Sequence, residues 1–287
     1  MSVFRNYNIF VFGNSIVFGY GQPDNLTIAS YVQYYLRQDV GTENIAVYNF
    51  GRAVYFSDLE RRLFESLISD GYVPDAALFI DGLTEFTLWH GRTDQFRCRQ
   101  EPSFTKRLGD TLRCKANEIC LPAQEVAEDW AGFLDSDERA ESSIAPLPDT
   151  PPLDDETTNR AVTDRWLANK TAIESVADSH DVATVFVIQP VPVYKYDLQY
   201  HLFGNTLEDF NDVVRVHYGY TLWEDLFDDP DADWTGNVVN LMAAGEDNPG
   251  PIFVDETHYS FGFSDEVGRA IADAFIEWEI IPDTEGN

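Results

Sequence analysis

The chain has 287 residues, 44% hydrophobic and 14% aromatic, enough to bury a large core, and this excludes disorder over most of its length. Fifty acidic residues against 19 basic ones give a formal net charge of -31, which excludes a surface built for nucleic acid or for anionic membranes. The acids are spread along the sequence rather than gathered in a tail, which fits adaptation to high salt, with a site for a cationic partner as the second reading.

The first predicted strand is the apolar run at residues 9–12, and it ends in Phe12-Gly13-Asn14-Ser15-Ile16. A serine at a strand-to-helix turn is a candidate nucleophile, with Gly13 permitting the tight turn that presents its hydroxyl. A helix follows at 27–37 and a strand at 45–49, running into Asn49-Phe50-Gly51-Arg52-Ala53-Val54-Tyr55. Ser57 and Glu60 have the spacing of a capping box, which predicts a helix from there to about residue 68. The third strand, 77–80, leads into Asp81-Gly82-Leu83-Thr84-Glu85.

Residues 86–159 break this alternation. They are polar, carry Pro102, Pro122, Pro146, Pro148, Pro151 and Pro152, and hold Cys98, Cys114 and Cys120. We read them as an insertion, either a lid or specificity subdomain over the strand ends or a peripheral excursion. Three cysteines allow one disulfide and one thiol, with Cys114 to Cys120 the shortest loop, or three free thiols. The first option favours an extracytoplasmic location, although no leader-like or membrane-spanning segment occurs in this sequence.

The fourth strand, 184–188, delivers Gln189 to the same edge of the sheet as Ser15. Tyr194, Tyr196, Tyr200 and His201 follow and are candidates to line an acyl or sugar pocket. The acidic residues at 135–141 and 225–233 read as solvated loops, the second also as a possible calcium site, although neither has the ligand spacing of an EF-hand. A short fifth strand at 252–254 precedes Asp255-Glu256-Thr257-His258. The final helix is marked by Val267, Ala270, Ile271, Ala274, Phe275 and Trp278 on one stripe behind the acidic Asp265 and Glu266.

A serine after the first strand, and an aspartate and histidine three residues apart near the other end, supply a nucleophile, a base and a group to orient the base. Gly13-Asn14-Ser15-Ile16, Asn49-Phe50-Gly51, Asp81-Gly82-Leu83-Thr84-Glu85 and Asp255-x-x-His258 also fall in the order of the four blocks of the SGNH/GDSL hydrolases, which the chain resembles over nearly its whole length. That resemblance implies a flavodoxin-like three-layer α/β/α sandwich around a five-stranded parallel sheet, as one domain with the insertion. It implies Ser15, His258 and Asp255 as catalytic residues. Family members take oxyanion donors from the serine N–H, a glycine N–H of the second block and an asparagine side chain of the third. Here those positions are Ser15, Val54 or its neighbour Ala53, and Thr84, a departure that predicts a slower enzyme.

Ala53, Gln189 and Tyr194 complete the candidate pocket. The implied activity is cleavage of carboxylic esters, as a small-acyl esterase or carbohydrate deacetylase. The partner is then a small-molecule or carbohydrate ester, with no nucleic acid and no membrane insertion. No metal or organic cofactor is required for this chemistry. An O-acyltransferase using the same triad is the alternative within the family, and a binding module retaining the fold is the alternative outside enzymes. A Gly-x-Ser-x-Gly elbow is excluded because residue 17 is valine.

Overall fold

Strands β1 (Tyr7–Gly13) and β3 (Ala76–Asp81) are apolar along most of their length and buried on both faces, which places them at the centre of a sheet. The structure, a computed structural model, describes residues 6–91, 150–229 and 232–282. Within these, β2 (Ile45–Asn49), β4 (Ala183–Ile188) and the short β5 (Val238–Asn240) complete a five-stranded parallel sheet in the order β2-β1-β3-β4-β5. The chain divides into two compact units, Met1–Gly91 with Pro152–Asn287, and Arg92–Pro151. All but the last two residues of the second lie outside the described residues, as do Cys98, Cys114 and Cys120.

Register aligns Phe12, Phe79 and Phe186 on neighbouring strands, where their rings stack at 4.9 and 5.2 Å between centroids. Phe64 of α3 (Ser57–Ser69) meets the first two edge-on, so this ladder joins the sheet to a helical layer. Right-handed crossovers put α2 (Ile28–Val40) on the opposite face, because the chain steps outward from β1 to β2 and then back past β1 to β3. There α2 packs against α7 (Phe261–Glu277). On the first face α3 packs against α5 (Glu156–Asp178), and α5 against α6 (Val214–Phe227). The reversal between β1 and β3 is a topological switch point, and segments leaving the carboxyl ends of these two strands flank a natural crevice. The short helices α1 (Ser15–Phe18) and α4 (Leu83–Thr87) start there.

Several elements differ from the sequence reading. The fifth strand is Val238–Asn240; residues 252–254 instead start a loop closed by a Phe253 to Tyr259 antiparallel bridge. Ser57 is the first residue of α3 rather than its cap, and its N–H donates to Glu85 at 2.5 Å while Glu60 stays buried. Helix α7 begins at Phe261 behind Ser260, whose hydroxyl accepts from Phe263 N–H, so Asp265 and Glu266 lie in the second turn. The described ends of the predicted insertion belong to α4 and to the first turn of α5. Of the acidic run at 225–233, Asp225 lies on α6.

Candidate active site

Ser15 emerges two residues beyond β1, from a turn compressed against the next helix turn and the neighbouring strand. A Cβ on Gly13 would stand 2.3 Å from Val17 Cγ2 and 3.0 Å from the Ile80 carbonyl, so no larger residue fits. Asn14 caps α1: its Oδ1 accepts from Ile16 N–H at 3.0 Å. Ser15 is 7% exposed.

His258 and Asp255 lie in the loop that replaces the predicted fifth strand. Val254 N–H donates to the His258 carbonyl at 2.8 Å and Ser260 N–H to the Ile252 carbonyl at 2.7 Å, which pins the loop at its base. Asp255 Oδ1 accepts from the N–H groups of Thr257 and His258, at 2.9 and 2.8 Å, and Oδ2 lies 2.7 Å from His258 Nδ1. With Nδ1 donating to the carboxylate, Nε2 presents its lone pair to Ser15 Oγ at 2.7 Å. Burial by itself raises the Asp255 carboxyl, but the hydrogen bond and charge of His258 and the two amides outweigh it and hold it down at about 2. The Tyr20 ring lies 4.6 Å from the His258 ring, a contact absent from the sequence reading because nothing in the pattern distinguishes Tyr20 from a packing aromatic.

The second block wraps around this turn. Asn49 Nδ2 donates to the Val17 carbonyl at 2.7 Å, and Arg52 N–H to the Gly13 carbonyl at 2.9 Å. Gly51 approaches so closely that a Cβ would fall 2.4 Å from Phe18 N. Residues Arg52 to Tyr55 then form a turn closed at 3.2 Å, in which Val54 takes φ of 60°. That left-handed conformation suits glycine and strains a β-branched residue.

Thr84, on α4, is 6% exposed, and its Oγ1 accepts from Asn14 Nδ2 at 3.3 Å. The same amide donates to Gln189 Oε1 at 2.8 Å. Gln189 is fully buried and holds Asn14 through that bond. Tyr194 is also buried, with its hydroxyl donating to Glu224. Ala53 stands partly exposed on the second-block turn. The structure thus brings Ser15, His258 and Asp255 together, with Thr84 tied to Asn14. It leaves Gln189 and Tyr194 in supporting layers.

Behind α4, the sequence reading missed a buried group of carboxyls: Glu60, Asp81 and Glu85. Asp81 accepts from Trp166 Nε1 at 2.9 Å, and Glu85 holds Ser57 N–H and Arg165. Burial, followed by the charge of Glu85, pushes Asp81 up to about 8. Glu60 is pushed well up by burial and by both neighbours. Burial of three acids beside one arginine favours their protonated forms. Among the described residues no group of three or more His, Cys, Asp or Glu is arranged to hold a metal ion. No described helix is long and apolar enough to cross a membrane.

No protein-family model matches the chain, and no curated protein matches its sequence. Among solved structures, a lipase from a goat rumen metagenome is 7% identical, covering 94% of this chain and 97% of its own, with a TM-score of 0.50. The two share a fold. An acetyl xylan esterase is 12% identical over 94% of this chain and 99% of its own, with a TM-score of 0.46. A psychrotrophic esterase from Pseudoalteromonas, crystallised with monoethylphosphonate as inhibitor, is 11% identical over 96% and 99%, with a TM-score of 0.44.

Proposed function

We propose that the chain is a serine ester hydrolase of the SGNH/GDSL type, acting on small-acyl or carbohydrate esters through an acyl-enzyme on Ser15. The observation that carries this reading is the continuous chain of hydrogen bonds from Asp255 through His258 to Ser15 at the switch point of the sheet. The four sequence blocks, in family order, support it independently.

Ser15 Oγ attacks the ester carbonyl carbon as His258 Nε2 takes its proton. Collapse of the tetrahedral intermediate breaks the bond to the alcohol oxygen, which leaves with that proton. Water then gives a proton to His258, attacks the acyl-enzyme, and releases the carboxylic acid and free Ser15. Asp255 orients the ring and balances the imidazolium formed in each half. Its carboxyl, held at about 2, stays ionised through neutral pH.

The oxyanion is held by the N–H groups of Ser15 and Val54 and by the Thr84 hydroxyl. The Asn14 amide, by donating to Thr84 Oγ1, occupies a lone pair and leaves the hydroxyl hydrogen to donate. A hydroxyl in place of the family's amide reaches less far, and loss of one such donor costs roughly 10² to 10³ in kcat, so turnover is slower than in relatives with asparagine there. Val54 also sets a branched side chain on the donor turn where relatives have none, which favours a small acyl group.

A fluorophosphonate probe tests the reading directly. We expect stoichiometric labelling of the folded protein that disappears in Ser15→Ala and is blocked by prior incubation with an aryl acetate. A folded protein that stays unlabelled would be a binding module instead.

A further inference from the structure

We infer that Arg52 is a specificity residue that receives a carboxylate carried by the ester substrate; this rests on the hydrolase reading above. In a chain with 50 acids and 19 bases, a guanidinium has a carboxylate partner readily available. Most described cations use them: Arg37 holds Glu43, Arg61 holds Asp58 and Glu65, and Arg269 holds Asp39 and Asp273. Arg165 reaches even a buried one, Glu85. Arg52 has no carboxylate partner among the described residues. Of the five N–H donors a guanidinium carries, one is used among the described residues, from Nη1 to the Tyr55 hydroxyl at 3.3 Å, with the Tyr55 ring beneath it at 5.6 Å.

Its place in the fold gives that free donor fork a use. Arg52 N–H is fixed to the Gly13 carbonyl, two residues before the nucleophile, and Arg52 opens the turn that carries Val54. The Arg52 backbone is therefore anchored at the carboxyl edge of the central strands, beside the turn that carries Ser15, and the residue remains partly exposed. Strain in the same turn marks it as a segment kept for function rather than for stability.

A planar fork with unfilled donors matches a carboxylate in two parallel hydrogen bonds. Overall charge opposes the approach of an anion, but that repulsion is screened beyond about 10 Å at 0.1 M salt, whereas the fork acts at contact. The substrate class is a small-acyl ester whose alcohol half bears a carboxylate, as an O-acylated sugar acid does.

The test compares 4-acetoxybenzoate with its neutral isostere 4-acetoxybenzamide, and with 4-acetoxyphenyl phosphate. For the wild-type chain, the ratio of kcat/KM on the carboxylate to that on the carboxamide is expected to fall about 10- to 100-fold in Arg52→Gln, the size of one charge-assisted bidentate contact. Most of the change should be in KM. Arg52→Lys, which keeps the charge but not the fork, falls between, and the exposed Arg160→Gln leaves the ratio unchanged. An unaltered ratio in Arg52→Gln, including a uniform loss on both esters, overturns the proposal, as does a wild-type preference for the phosphate over the carboxylate. Failure of the wild type to cleave any of the three in a Ser15-dependent way sinks the hydrolase reading itself, and is recognised by the missing probe label.

Discussion

Val54 carries the clearest tension between sequence and conformation. A β-branched residue at φ of 60° is held where glycine belongs, at a cost of about 1–2 kcal/mol. Its side chain is 38% exposed, so little packing repays that cost. Val54→Gly relieves the strain, keeps the N–H assigned to the oxyanion, and gives back roughly 0.5–1 kcal/mol in chain flexibility. We expect a net stabilisation of about 0.5–1 kcal/mol in denaturant unfolding, with labelling of Ser15 retained. Destabilisation would show that the branched side chain holds the turn together. The sequence identified position 54 as unusual by its place in the second block, but the sign of φ depends on the Arg52 to Gly13 anchor, which no local pattern encodes.

At the scale of elements, the junction of α3, β3 and α4 is controlled by buried carboxyls. Glu85 on α4 accepts the first N–H of α3, where a negative charge is favoured, and so links the segment bearing Thr84 to the one that follows Val54. Glu60 and Asp81 are both pushed upward, so between about pH 4 and 8 the folded chain keeps protons that the unfolded chain releases. Stability contributed by this junction is complete below pH 4 and is lost as pH rises toward 8. Glu60→Gln removes one titrating group and supplies an amide donor toward Asp81. The variant should therefore show a shallower fall in melting temperature from pH 5 to pH 8 than the wild type, with the largest gain at pH 8. Parallel curves for the two proteins would refute the linkage. The same region explains a misreading: Glu60 looked like a capping residue, since its spacing from Ser57 is local while Glu85 and Asn169 reach Ser57 from afar. Helix α5 was hidden for a related reason. Its inner stripe includes Asn159, Thr163, Asn169 and Lys170, which break the apolar period; Thr163 and Asn169 are held there by Trp223 and Ser57.

For the whole molecule, the net charge of -31 is the dominant long-range force, and self-repulsion opposes the compact state. Shortening the screening length from about 10 Å at 0.1 M salt to about 3 Å at 1 M removes most of it. We expect the melting temperature to rise between these salt concentrations, and to rise much less in an osmotically matched sucrose solution. Equal effects of the two would contradict a charge-driven adaptation to salt. The strand order is a property of this same scale. β1, β2, β3 and β4 are legible because each is a short apolar run between turn residues, whereas the three-residue β5 is less apolar than residues 252–254, which drew the assignment instead.

The sequence by itself determined the alternating strands and helices, the turn that carries Ser15 and the pairing of Asp255 with His258, since each of these is written within a few neighbouring residues. Only the tertiary structure decided which strand closes the sheet, that Asn14 links Thr84 to Gln189, that Val54 adopts a left-handed turn, and that Arg52 has no carboxylate partner among the described residues. These depend on contacts between segments far apart in the chain, where the energy of packing and hydrogen bonding overrides local preference.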